Sequence, residues 1–287
     1  MSVLPRLAGF GAVLAIVFAT ALVVGDRAGI DRGAAARADG AVPAMTAMAG
    51  GHGEDGAPAP QTVRGLAVSE GGLTLALART TAPAGEPFAL AFRVVDRRGQ
   101  TVRTFDVEHT KRMHVVLVRR DMTGFQHLHP TQRPDGTWTV PATVRDPGAY
   151  RVFADFAVRG RAHTLAGDIS VDGAVRSRAL PAPAGAMTVD GLRVRLDGGT
   201  ERAGAEAELR FSVTRAGRPV AVEPYLGARG HLVALRAGDL AFLHVHPDAR
   251  RLRFMATLPT AGSYRLFLQF KTEGRVHTAA FTREVAR

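Results

Sequence analysis

Eight of the ten histidines in this 287-residue sequence fall into two matched sets. The first is His114, His127, His129 and His163; the second is His231, His244, His246 and His277. The string FQHLHP at Phe125 to Pro130 returns as FLHVHP at Phe242 to Pro247. His114 to His127 spans 13 residues, and so does His231 to His244. Tyr150 to His163 and Tyr264 to His277 also span 13 residues each. Converging neutral imidazoles suit Cu(II), Zn(II) and Ni(II). The sequence has no cysteine, which excludes thiolate sites, blue-copper centres, disulfides and cysteine nucleophiles. Methionine is not part of the repeat, because Met113 and Met122 have Gly230 and Asp239 as counterparts. The expectation is two plain histidine sites, one in each half, for copper first and zinc second. His127 and His129 are the core ligands of the first, completed by His114 and His163; His244 and His246 are those of the second, completed by His231 and His277.

Two other readings stay open. Arg112, Arg161, Arg229 and Arg275 each stand two residues before a histidine of the set. On a strand that is the same face, and a guanidinium opposes a bare cation. A mixed Arg/His cluster would instead take a carboxylate or another small anion. The histidines could also be structural, with Pro130 and Pro247 simply ending strands. Of the two histidines outside the sets, His109 could supplement the first site, and His52 lies near Met45 and Met48 in a segment that reads as linker.

These residues need strands to hold them. Two residues along a strand share a face, so His127 and His129 point the same way. A hairpin through Asp121 to Gly124 would set His129 opposite Val116 and His127 opposite Val118, with His114 diagonal to His129. The second half would repeat this around Gly238 to Ala241. The Gly148/Tyr150 and Gly262/Tyr264 pairs fit a tyrosine corner at the start of an Ig-like strand F. Arg159-Gly160 and Glu273-Gly274 then read as F–G turns, which would bring His163 toward His114.

Beyond residue 65 the chain runs in short apolar segments broken by Gly, Pro and Asp, the mark of a β-sandwich. The pattern then starts again: AGEPFALAFRV is answered by AGAEAELRFSV, PGAYRVFADF by AGSYRLFLQF and GRAHT by GRVHT. The fold expected is all-β, with two tandem Ig-like, cupredoxin-like sandwiches. Residues 65–175 form the first, 176–186 the linker and 187–287 the second. Residues 26–64, rich in Ala, Gly and Pro, read as a flexible tether. Leu7 to Gly25 carries no charge. It is long enough to approach the span of a hydrocarbon core, so residues 1–25 read as an uncleaved membrane anchor, or alternatively a cleaved signal. Either places the sandwiches outside the cytoplasm.

The net charge of +11 rests on scattered arginines, with no basic helix or aromatic-lined groove, so no nucleic-acid partner is expected. Acids do not repeat beside the histidines and no G-x-S-x-G string occurs, so an enzyme is not expected. The strings MHVVLVRRDMTGFQHLHP and PYLGARGHLVALRAGDLAFLHVHP resemble a group of exported, membrane-anchored proteins of GC-rich bacteria. The resemblance covers most of residues 66–285. More distantly, the domains look like the Ig-like, cupredoxin-like modules of periplasmic copper-resistance carriers. That similarity implies copper carriage by histidines near one end of a sandwich. The missing repeated methionine departs from that pattern and weighs against Cu(I). The function expected is extracytoplasmic metal binding for homeostasis or delivery. The alternatives are an envelope adaptor with a protein partner and a small-anion binder.

Overall fold

The computed structural model describes residues 63–198, 202–243 and 245–287, all within one compact unit, Pro58–Arg287. The anchor expected over residues 1–25 and all but the last two residues of the tether expected over 26–64, with Met45, Met48 and His52, lie outside the described residues, and so does His244; at the end of that tether Arg64 bridges to Phe242. Among the described residues no helix is long and apolar enough to cross a membrane.

The first half is built from β1 (Ser69–Glu70), β2 (Leu73–Leu77), β3 (Pro87–Asp96), β4 (His114–Arg119), β5 (Gln126–Leu128), β6 (Thr131–Gln132), β7 (Trp138–Thr143), β8 (Gly148–Val158) and β9 (Arg161–Val171). They form two antiparallel sheets, β1-β2-β3-β7-β6 and β5-β4-β8-β9. The second half follows with β10 (Ala186–Val189), β11 (Leu192–Gly198), β12 (Glu206–Arg215), β13 (Arg218–Pro219), β14 (His231–Arg236), β15 (Phe242–Leu243), β16 (Val245–Pro247), β17 (Arg253–Thr257), β18 (Gly262–Thr272) and β19 (Arg275–Val285). Its sheets are β10-β11-β12-β17-β16, with β13 on β12, and β15-β14-β18-β19. The protein is thus a pair of Ig-like β-sandwiches.

Alternation drives each sandwich. In β3, Phe88, Leu90, Phe92 and Val94 are buried between exposed or half-buried neighbours, as period-two patterning requires. They meet Val115, Leu117, Val152, Ala154 and Phe156 of the opposite sheet in the first core. Leu209, Phe211 and Val213 meet Leu232, Ala234, Leu266 and Leu268 in the second. The tyrosine corners are present in both: the Tyr150 hydroxyl donates to the Asp146 carbonyl at 2.8 Å, and the Tyr264 hydroxyl donates to the Thr260 carbonyl at 2.8 Å. The long hairpins β8–β9 and β18–β19 close through two-residue turns in which Arg159, Gly160, Glu273 and Gly274 all have positive φ, the primed geometry that matches strand twist.

A third apolar cluster sits between the sandwiches. β4 is buried at all six positions. Val115 and Leu117 enter the first core, while Val116 and Val118 face the other way. On that outer face they pack with Phe153 against Val233, Leu235, Phe242 and Phe267 of the second half. The joint is quasi-symmetric. Phe125 stacks on Phe267 with centroids 4.0 Å apart, and their repeat counterparts, Phe242 and Phe153, lie 5.3 Å apart. Each half thus presents the same patch to the other, as in a two-fold dimer interface.

Candidate metal centre

The outer faces of β4 and β14 carry histidine at the end of their apolar rows. His114, Val116 and Val118 alternate along β4; His231, Val233 and Leu235 alternate along β14. Both histidines therefore project into the joint. Their rings lie parallel within 3°, with centroids 5.5 Å apart, where the two halves meet.

β5 and the residue that follows it bring in two more, His127 and His129. Val116 pairs with His127 and Val115 with Leu128. The register differs by two residues from the one expected. Met122 and Gly124 both take positive φ, and the hairpin turns tightly at Arg119 to Met122, where the Met122 N–H donates to the Arg119 carbonyl at 2.8 Å. A shift of two preserves the face, and His129, just beyond the Val115–Leu128 pair, comes beside His114. The three rings are mutually close, with centroid separations of 5.2 Å for His114–His127, 5.1 Å for His114–His129 and 4.7 Å for His127–His129. A nitrogen from each lies within 4.8 Å of the others.

The hydrogen bonds fix the tautomers. His114 Nε2–H donates to the Glu108 carbonyl at 3.2 Å, so its Nδ1 carries a lone pair. His127 Nδ1–H donates to Gln269 Oε1 at 2.7 Å, so its Nε2 carries a lone pair. Gln269 is held in that orientation by donating through Nε2 to Thr278 Oγ1 at 3.3 Å and accepting from the Tyr225 hydroxyl at 3.5 Å. The two bare nitrogens, His114 Nδ1 and His127 Nε2, face each other at 3.1 Å. A third, His129 Nε2, is buried with no hydrogen-bond partner. Two imidazoles sharing a tetrahedral ion at zinc-like bond lengths hold their nitrogens about 3.3 Å apart. Each of the first two rings has its remote N–H tied to an oxygen, the outer shell that orients metal-ligating histidines.

Burial keeps these rings neutral. It lowers the His114 pKa to about 4 and the His127 pKa to about 3, with neighbouring histidines adding to the effect. His129 falls to about 4 for the same reasons, with Lys111 contributing. His231 is pushed well below its ordinary value by burial and by the same neighbours. A proton is therefore a poor bridge between the facing nitrogens at neutral pH, while a neutral imidazole is the form that ligates metal. His109, at φ 48 in the turn before β4, adds a ring 6.2 Å from His114 and 5.8 Å from His231.

The other expected ligands go elsewhere. His163 pairs with Phe156, whereas His114 pairs with the adjacent Asp155. Adjacent residues point to opposite faces, so His163 faces the first core and stacks on Phe156 at 5.6 Å. His277 pairs with Phe270 and stacks on it at 5.4 Å in the same way. Its Nδ1–H donates to Asp190 at 2.7 Å and its Nε2 accepts from the Thr272 hydroxyl at 3.0 Å, which occupies both nitrogens. The strand-G histidines are thus parts of the sandwich interiors. In the second half the chain crosses to the opposite sheet at Val245, where the first half crosses only at Thr131. His246 consequently pairs with Met255 on that sheet and is exposed. Among the described residues, the three histidines that come together are His114, His127 and His129 of the first half, with His231 of the second half beside them. The arginines stand aside: Arg112, Arg161 and Arg275 are exposed, and Arg229 donates to the Val222 carbonyl at 2.8 Å.

Among solved structures, the chain is similar to the Escherichia coli adhesin FdeC at 18% identity and TM-score 0.27, covering 77% of this chain and 66% of that one. It is similar to E. coli alpha-2-macroglobulin activated by porcine elastase at 12% identity and TM-score 0.27, covering 75% and 20% respectively. It is also similar to the BSP domain of a biofilm associated protein at 11% identity and TM-score 0.24, covering 75% and 30%. The chain thus spans less than two thirds of each, and at these TM-scores none of them bears on what it does. No curated protein matches it. Residues 67–173 and 187–287 each match the family described as Domain of unknown function (DUF8832), and the chain belongs to that family as two tandem copies of its domain.

Proposed function

We propose that this is a non-catalytic binding protein for a divalent transition-metal ion, Cu(II) ahead of Zn(II), in metal homeostasis or delivery outside the cytoplasmic membrane. The observation that carries the reading is the pair of bare nitrogens, His114 Nδ1 and His127 Nε2, 3.1 Å apart with their other nitrogens already committed. The orphaned His129 Nε2 supports it. An all-nitrogen donor set and the Irving–Williams order favour copper over zinc. Export rests on the uncharged run Leu7 to Gly25. The test is calorimetric titration of the purified full-length chain with Cu(II) and with Zn(II), beside a variant carrying His127→Ala and His129→Ala. One tight site per chain that disappears in the variant is the expected result. No binding by the unaltered chain would end the metal reading.

A second reading is an envelope adaptor, with the sandwich pair serving as a rigid docking module. The tandem Ig-like build favours it, since two sandwiches locked sheet to sheet make a stiff spacer. The two readings part on the titration, because an adaptor needs no ion.

A further inference from the structure

The trio belongs to the first sandwich, yet its surroundings belong to the second. Gln269, the acceptor that fixes the His127 tautomer, is on β18 and only 7% exposed. His231, on β14, lies flat over His127 with centroids 4.5 Å apart and a 20° interplanar angle. It faces His114 at 5.5 Å. The trio gives three nitrogens, one short of the four that a closed tetrahedral site takes. His231 is a further imidazole in ring contact with both His127 and His114. Gln269 also pairs directly with His231 across β14 and β18, so one strand pair of the second sandwich carries both groups.

We infer, building on the metal reading, that the second sandwich closes the site: His231 supplies the fourth nitrogen and Gln269 is a positioning residue. One ion then bridges the two sandwiches and clamps them at the joint, so metal occupancy and interdomain docking are linked. The linkage is reciprocal by necessity: what loosens the joint weakens metal binding, and metal tightens the joint.

The test uses the full-length chain, loaded with one equivalent of Cu(II) and read by electron paramagnetic resonance and calorimetry. Four variants are compared with the unaltered chain. His231→Phe keeps a flat ring over His127 but removes the nitrogens. Gln269→Leu removes the acceptor at similar volume, and Gln269→Glu restores an acceptor. His127→Ala is the control for the trio. The inference expects the nitrogen hyperfine pattern to fall from four nitrogens to three in His231→Phe. It expects Gln269→Leu to weaken binding about 10–100-fold, the usual cost of losing an outer-shell partner, and Gln269→Glu to recover most of it. If His127→Ala loses the ion while His231→Phe and Gln269→Leu bind with unaltered affinity and spectrum, the clamp is wrong and the metal reading survives. If the unaltered chain takes up neither Cu(II) nor Zn(II) in the calorimeter, both fall together.

Discussion

Acidifying the metal-free protein should unfold it well above the pH at which its carboxylates titrate. His114, His127 and His129 take up protons in the folded state only at about 4, 3 and 4, against an ordinary 6.5. The folded values are depressed, so between pH 6.5 and about 4 the unfolded chain holds more protons. Stability is fully present above 6.5 and is lost as the pH falls through that window. Each neutral histidine contributes a slope of about 1.4 kcal/mol per pH unit. At pH 5, one and a half units below 6.5, that is about 2 kcal/mol per ring, or about 6 kcal/mol for three. A domain's whole stability is about 5–15 kcal/mol, so the effect is large. The sole tryptophan, Trp138, is 3% exposed in the first core and reports the unfolding of that sandwich. Urea titrations followed by Trp138 fluorescence, in chelator, at half-unit steps from pH 7.5 to 5, measure the slope. Replacing His129 with Phe should lower it by about 1.4 kcal/mol per pH unit. A stability flat to pH 5, or a slope unchanged by that replacement, would show that the histidines are hydrated in solution and refute the buried, neutral cluster.

Three further outcomes follow from the packing. Tyr150→Phe leaves the Asp146 carbonyl without its 2.8 Å partner and should cost about 1–2 kcal/mol by the same fluorescence assay. Phe267→Ala removes the ring stacked on Phe125 at 4.0 Å and should cost about 3 kcal/mol, with a parallel loss of Cu(II) affinity in calorimetry if the joint shapes the site. Gly230→Ala should destabilise by about 1–3 kcal/mol in thermal denaturation, because its Cβ would sit 2.6 Å from Leu252 Cδ1 and 2.8 Å from the Gln269 carbonyl oxygen. That glycine precedes His231, so a variant that folds should also bind Cu(II) more weakly.

The sandwiches were legible because period-two burial, the tyrosine corners and the internal repeat all point one way. The HxH spacing puts His127 and His129 on one face, and the hairpin register expected between Asp121 and Gly124, correct in parity, adds His114 to it. The misplacement of His163 came from treating an approach along the sheet as convergence. Its pairing with Phe156 rather than Asp155 decides the face, and a single residue of register cannot be read from a sequence. The joint left a signal that alternation arguments passed over. HVVLV and HLVAL are unbroken apolar runs, and a strand with no polar positions is buried on both faces. Gln269 gave no local signal, because its role depends on a residue 142 positions away.

Stability alone does not account for histidines at this joint. Along the same outer faces the next positions are Val116 and Val118 in one half and Val233 and Leu235 in the other, and they pack without any polar debt. Continuing those rows with valine or leucine would add apolar contact. It would also remove the loss of stability on acidification that buried neutral histidines bring. Instead the rows end in His114 and His231, and two bare nitrogens meet at 3.1 Å while a third is buried without a partner. Each buried, unsatisfied nitrogen costs about 1–3 kcal/mol. A ligand that accepts lone pairs turns those costs into binding energy, and a hydrogen-bonding role for the rings does not. The arrangement therefore favours the proposed metal site over a purely structural role for these rings.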